Sequence, residues 1–212
     1  MALKHTKQNL IYTRGMVDED GTPFGVCRSS NSLSMIEFGH QEIHEGRSFT
    51  AYFQNTTAAD PADRSGIFIK TPNSTTLLHL VASFSTSLGA TYSICEAPTL
   101  TANIGTHTAV IYNRYRDSTT VSTAVNNATT PVAGKITTLI EANFAAGSWA
   151  AGTVLRTASL VAGTGPKPAG GVSRDTEEYI LKANTKYVFV ITNTTSSATT
   201  HTILLDWYET AL

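Results

Sequence analysis

Between residues 177 and 209 the side chains alternate with a period of two, and nothing else in the chain constrains its fold as tightly. Tyr187, Phe189 and Ile191 alternate with Lys186, Val188 and Val190. Further on, Ile203, Leu205 and Trp207 alternate with Leu204, Asp206 and Tyr208. A helix would repeat its apolar positions every three to four residues, whereas a strand turns successive side chains to opposite faces. β-Branched and aromatic residues at this period therefore predict strands. The connector Asn193-Thr-Thr-Ser-Ser-Ala-Thr-Thr200 is polar and turn-prone, so the two runs are expected to fold back on each other as a hairpin. Lys182-Ala-Asn-Thr185 reads as a tight turn joining 177–181 to 187–192. Burial of Ile203, Leu205 and Trp207 would contribute roughly 1.5–3 kcal/mol per side chain, which makes this region the expected keystone of the core.

The same period recurs upstream. Strands are predicted at 49–54, at 67–71 and, most clearly, at 76–85. In the last of these Leu78, Leu80, Ala82 and Phe84 share one face, and Leu77, His79 and Val81 the other. Leu88-Gly-Ala90 reads as a hairpin turn into a strand at 90–96, which Pro98 ends because proline cannot donate to a ladder. A strand at 106–114 and weaker ones at 136–140 and 153–160 follow. No stretch of ten or more residues carries a capped 3.6-residue period. Many short strands punctuated by turns predict an all-β fold, a jelly-roll-like β-sandwich of on the order of eight strands. Residues 1–31 lack core character and form the expected extended N-terminal arm, with the sandwich domain at 32–212. In that arm Lys4, Lys7, Leu10, Ile11, Tyr12 and Arg14 are the candidate contacts to a partner, and a frayed terminus is the competing reading.

Composition narrows the function classes. The chain has 212 residues, enough for one domain with a substantial core. Charged residues make up 15%, against about 25% in typical soluble domains, and the net charge is −1. No global field attracts nucleic acid or an acidic membrane, so neither is an expected partner. Cys27 and Cys95 lie far apart without metal-ligand or redox spacing, and reduced thiols of a protein made in a reducing cytoplasm are expected. There is no apolar run long enough to span a bilayer and no signal-type h-region. Export through a cleavable signal is therefore not expected.

The candidate chemical motifs are each outweighed by a simpler reading. His40-Gln-Glu-Ile-His44 would place two histidines on one helical face, but a zinc protease helix needs glutamate directly after the first histidine, where Gln41 stands. Asp18-Glu-Asp-Gly21 opens like a calcium loop, yet Ser29 occupies the position of the closing glutamate. The glycines of Ala162-Gly-Thr-Gly-Pro-Lys-Pro-Ala-Gly-Gly171 lack the strand-to-helix context of a phosphate cradle. No G-x-S-x-G elbow occurs, and His79 and His201 sit in strand patterns as satisfied sheet residues. Glu177 and Glu178 adjoin a strand start and are expected to face solvent. No enzyme, cofactor or metal site is expected. The most distinctive polar cluster is Asn113-Arg-Tyr-Arg-Asp-Ser118. On an extended strand Arg114 and Arg116 would project to one side and could grip carboxylates across a subunit interface. The competing reading is a pair of surface arginines held by Asp117 or a nearby glutamate.

Four blocks resemble a family of tailed-bacteriophage virion proteins of the small head-associated, decoration type. They are Ile43-His-Glu-Gly-Arg-Ser-Phe-Thr-Ala51, Tyr112-Asn-Arg-Tyr-Arg-Asp-Ser118, Tyr179-Ile-Leu-Lys-Ala-Asn-Thr-Lys-Tyr187 and Leu204-Leu-Asp-Trp-Tyr-Glu209. The family commonly carries Trp where this chain has Tyr179. The resemblance implies a trimeric β-sandwich virion component with no catalytic residues to carry over. A capsid decoration (cement) protein is the expected function. Its partners would be the major capsid protein and further copies of itself, and its location the capsid exterior after synthesis in the bacterial host's cytoplasm. A rigid body that binds across neighbouring shell subunits stabilises the shell by mass action, and a threefold lattice site favours a closed trimer. The alternative is a receptor- or glycan-binding virion module, a head fibre or tail-associated protein, using exposed aromatics such as Tyr115 and Trp149.

Overall fold

The computed structural model describes residues 26–27, 32–33, 38–58, 60–100, 107–126, 131–141, 149–161 and 178–211. The chain forms two compact units, Met1–Gln41 and Glu42–Leu212. In the first, β1 (Val26–Cys27) pairs antiparallel with β2 (Ser32–Leu33). A short helix, α1 (Phe38–His44), precedes the strands of the second unit.

Those strands are β3 (Ser48–Ala58), β4 (Arg64–Lys70), β5 (Thr76–Thr86), β6 (Ala90–Glu96), β7 (Thr99–Leu100), β8 (His107–Val110) and β9 (Tyr112–Asn113). After them come β10 (Lys135–Glu141), β11 (Trp149–Ala150), β12 (Thr153–Leu160), β13 (Tyr179–Leu181), β14 (Lys186–Asn193) and β15 (Thr199–Ala211). One antiparallel sheet has the order β13-β5-β15-β3-β9 and the other β12-β6-β14-β4-β10-β8. The expected all-β sandwich is thus the architecture. Strands β3 to β6 alternate between the sheets, and so do β12 to β15. The inner quartets β13-β5-β15-β3 and β12-β6-β14-β4 follow the interleaved strand order of a jelly roll.

This connectivity corrects two expectations. The runs at 187–192 and 203–208 are not a hairpin, because β14 and β15 lie in different sheets and face each other across the core. The turn at 182–185 stands where it was expected, between β13 and β14, and it carries the chain from one sheet to the other. Leu88-Gly-Ala90 passes from β5 to β6 by the same kind of crossover. The physical reason is that alternation specifies which face a side chain occupies, not which strand lies alongside. Polar side chains brace each crossover. Thr199 Oγ1 accepts from Leu88 N at 3.1 Å, and Asn193 Nδ2 donates to Ala58 O and Asp60 O, both at 3.2 Å. At the opposite end Thr71 Oγ1 donates to Lys182 O at 2.6 Å and accepts from Thr185 N at 2.9 Å. A third expectation changes at 106–114, where β8 and β9 join different sheets with buried Ile111 between them.

The core is built from the side chains that the alternation pointed inward. Leu78, Leu80, Ala82 and Phe84 from β5 meet Ile203, Leu205 and Trp207 from β15, with Tyr187, Phe189 and Ile191 from β14 opposite. Central strand β14 is buried on both faces, since Val188 and Val190 pack with Phe68 and Cys95 in a second cluster on the outside of its sheet. Cys95 is a free, buried thiol, and burial pushes its pKa up.

Candidate interaction surface

Most polar groups that could carry chemistry are committed to holding the fold. Glu42 is almost fully buried and receives two hydrogen bonds from Arg47, Nε at 2.7 Å and Nη2 at 2.9 Å, a bidentate pair between α1 and the residue that leads into β3. Glu209 lies on β15 and accepts from Trp207 Nε1 (3.1 Å), Ser122 Oγ (2.5 Å) and Thr123 Oγ1 (2.7 Å). One carboxylate thereby pins the 122–124 segment to the core. Glu96 accepts from Lys182 Nζ at 2.7 Å and Tyr187 OH at 2.9 Å, and the lysine holds its carboxyl below the usual range. Burial in turn raises the Tyr187 phenol to about 12.

The histidines behave as sheet residues. His79 stacks on Tyr208 with ring centroids 4.6 Å apart. Its Nδ1 lies 2.9 Å from Glu178 Oε1, which also accepts from Tyr208 OH at 2.9 Å. Glu178 is therefore a packed, half-buried partner and not the solvent-facing carboxylate expected from the sequence. His201 is wholly buried, with Nδ1 2.8 Å from Ser65 Oγ, and Ser65 in turn accepts from Asn55 Nδ2 at 2.9 Å. A buried Ser–His pair with no opening to solvent is a bridge between sheets, not a nucleophile. His40 and His44 are exposed on α1, and no group of three metal-ligating side chains occurs among the described residues. No helix among the described residues is long and apolar enough to cross a membrane.

What remains is a surface. Arg114 and Arg116 do not share an extended strand, because β9 ends at Asn113 and a turn follows. Asn113 makes that turn: its Oδ1 accepts from Tyr115 N at 2.9 Å, and its Nδ2 donates to Gly46 O at 2.7 Å and Thr120 O at 3.1 Å. Ser118 N closes the turn on Tyr115 O at 2.9 Å. The turn aims Arg116 back over the ring of Tyr112, guanidinium to centroid 5.4 Å, and leaves Arg114 exposed. Neither arginine is ion-paired to Asp117 in the structure.

Sequence reasoning missed Tyr52. The β3–β9 ladder sets Thr50 opposite Tyr112, so Tyr52 is the diagonal neighbour of Tyr112 on the outer face of the five-stranded sheet. Tyr52 and Tyr112 on the sheet face and Tyr115 in the turn are 52%, 51% and 42% exposed. The only sequence signal was an aromatic at an outward position of each strand, and the pairing that joins them is not local. Three exposed tyrosines with two arginines match the side-chain types that dominate protein–protein hot spots. Lys4, Lys7, Leu10, Ile11, Tyr12 and Arg14 lie outside the described residues, as does the side chain of Trp149. The chain matches no family model, no curated protein and no solved structure.

Proposed function

We propose that this chain is a bacteriophage capsid decoration (cement) protein that binds the outside of the head shell as a homotrimer, with the major capsid protein as its partner. The observation that carries the reading is the exposed pair Tyr52 and Tyr112 on the outer face of the β3–β9 ladder, with Arg116 over Tyr112 and with Arg114 and Tyr115 exposed on the braced turn that follows. Arginine and tyrosine lose little conformational freedom when a partner covers them, because Arg116 is already stacked and Tyr112 is anchored in a ladder. The remaining polar clusters are spent on internal bracing, which suits a block that holds other subunits. The resemblance of the four sequence blocks to decoration-type virion proteins points the same way.

The test is co-sedimentation of the purified full chain with heads of the same phage that lack it. Binding should fall at least tenfold for Tyr112→Ala/Arg116→Ala, with the melting temperature unchanged, because both side chains are exposed. Unchanged binding would refute this surface as the contact. Sedimentation of the free protein at the mass of a single chain would refute the trimer.

A receptor- or glycan-binding role on the virion is the second reading. Exposed Tyr52 and Tyr112, diagonal neighbours on one face of the sheet, favour it, since planar aromatic faces also stack on sugar rings.

A further inference from the structure

We propose that a cleft remote from the tyrosine–arginine surface binds an acidic saccharide, with its carboxylate held between Lys70 and Lys186. This does not rest on the decoration reading. The cleft has a volume of about 450 Å³ and is lined by Lys70, Ala97, Pro98, Thr99, Asn184, Thr185 and Lys186. It lies beside the end of the β4–β14 ladder, where the turn after β6 approaches the turn before β14.

The two lysines are directly opposite in that ladder. Lys70 exchanges both backbone hydrogen bonds with Val125, on its far side from β14, at 3.0 Å each. Lys70 and Lys186 are therefore a non-hydrogen-bonded antiparallel pair, the arrangement that brings facing side chains closest. Both point to the outer face, because the neighbouring Ile69 and Tyr187 point into the core. Like charges set directly opposite each other weaken a ladder, and neither ammonium forms an ion pair among the described residues. The carboxylate of Glu96 lies opposite Tyr187 on the inner face and is taken by Lys182 and Tyr187. Among the described residues the lining thus holds two cations and no anion.

The remainder of the lining selects what accompanies the anion. Ala97 adopts a left-handed conformation (φ 51°), which swings Pro98 and Thr99 out to form one wall. Ala97 and the edge of buried Pro98 supply the apolar part of the lining, and the exposed Thr99 hydroxyl and Asn184 amide offer donors and acceptors. Asn184 is also left-handed (φ 49°), with its N–H held by Pro72 O at 2.8 Å, so this wall is preset. A bare phosphate or sulfate would leave most of 450 Å³ empty and would find no guanidinium fork. Nucleic acid needs a run of cations along a groove, which a closed pair of lysines does not supply. A uronic acid unit satisfies all of it, with carboxylate on the lysines, hydroxyls on Asn184 and Thr99, and ring C–H groups against exposed Ala97.

The experiment titrates the full chain with trigalacturonate, its fully methyl-esterified form and sodium sulfate, followed by calorimetry at low salt. Trigalacturonate should bind, and the ester should bind at least tenfold more weakly. Lys70→Ala/Lys186→Ala should lose tenfold or more without a lower melting temperature, since it removes a like-charge pair. Lys135→Ala, on a different part of the sheet, should bind as the parent does. Each single lysine variant should lose several-fold, which keeps the test decisive if the double variant folds poorly. Absent binding, equal binding of the ester, equally tight sulfate binding, or retention by the lysine variants would each overturn the assignment.

Discussion

Lowering the pH from 7 to 4 drives a proton towards the ring of His201, which is wholly buried and bridges the two sheets through Ser65. Burial opposes the imidazolium and lowers this histidine from 6.5 to about 4, with the nearby Asp63 carboxylate pulling more weakly the other way. The ring offers little to a new charge: Nδ1 has Ser65, and Nε2 has no hydrogen-bond partner among the described residues. In the unfolded chain the same ring takes up its proton near 6.5. Between those two values the unfolded state binds more protons, so stability must rise with pH across the window. The contribution is complete above about 6.5, falls as pH drops, and is exhausted below about 4. At about 1.4 kcal/mol for each pH unit separating the two values, the loss is about 3 kcal/mol. The assay is urea unfolding followed by tryptophan fluorescence at intervals from pH 7 to pH 4, for the parent and His201→Phe. Carboxylates such as Glu96 add their own acid dependence, but they do so in both proteins. The parent should lose about 3 kcal/mol relative to the variant over this range. Parallel curves would refute the reasoning, because they would mean that the ring is charged in the fold or reaches solvent.

Two other outcomes follow from the bracing. Glu209→Ala leaves Trp207 Nε1, Ser122 Oγ and the Thr123 N–H and hydroxyl without their buried acceptor, and should cost about 2–4 kcal/mol in chemical denaturation, with the 122–124 segment becoming protease-sensitive. Gly152→Ala should cost about 2 kcal/mol or more, read as a lower melting temperature. Its φ of +66° disfavours any side chain, and the added Cβ would press on the carbonyl oxygens of Glu96 and Ala97. A melting temperature unchanged by Gly152→Ala would mean that the β11–β12 turn can shift away at little cost.

Much of the core was legible in the residues themselves. The inward sets of β5, β14 and β15 follow from a period of two, because the face a side chain occupies depends only on its immediate neighbours. The limits of β6 and β12 came out as read, at Ala90–Glu96 and Thr153–Leu160, since Gly89, Pro98 and Gly152 punctuate them. The burial of Val188 and Val190 on the second face of β14 was not read from the alternation, because only the pairing of β14 between β4 and β6 makes it a central strand. The candidate surface was only half legible. Arg114 and Arg116 stood out, but the Asn113 turn that separates them from any strand did not, and Tyr52 gave no sign of its neighbour.

Partnership between strands was decided by the tertiary structure alone. Backbone N–H and C=O groups are the same in every residue, so a ladder carries no record of which strand it will accept. The choice falls to the packing of whole faces, and here the apolar faces of two long alternating runs meet across the core. That choice sends β14 and β15 into opposite sheets, sets Tyr52 beside Tyr112, and stands Lys70 against Lys186. Local chemistry therefore determined what each strand would show to the interior, and only the assembled sandwich decided which side chains would meet on the outside.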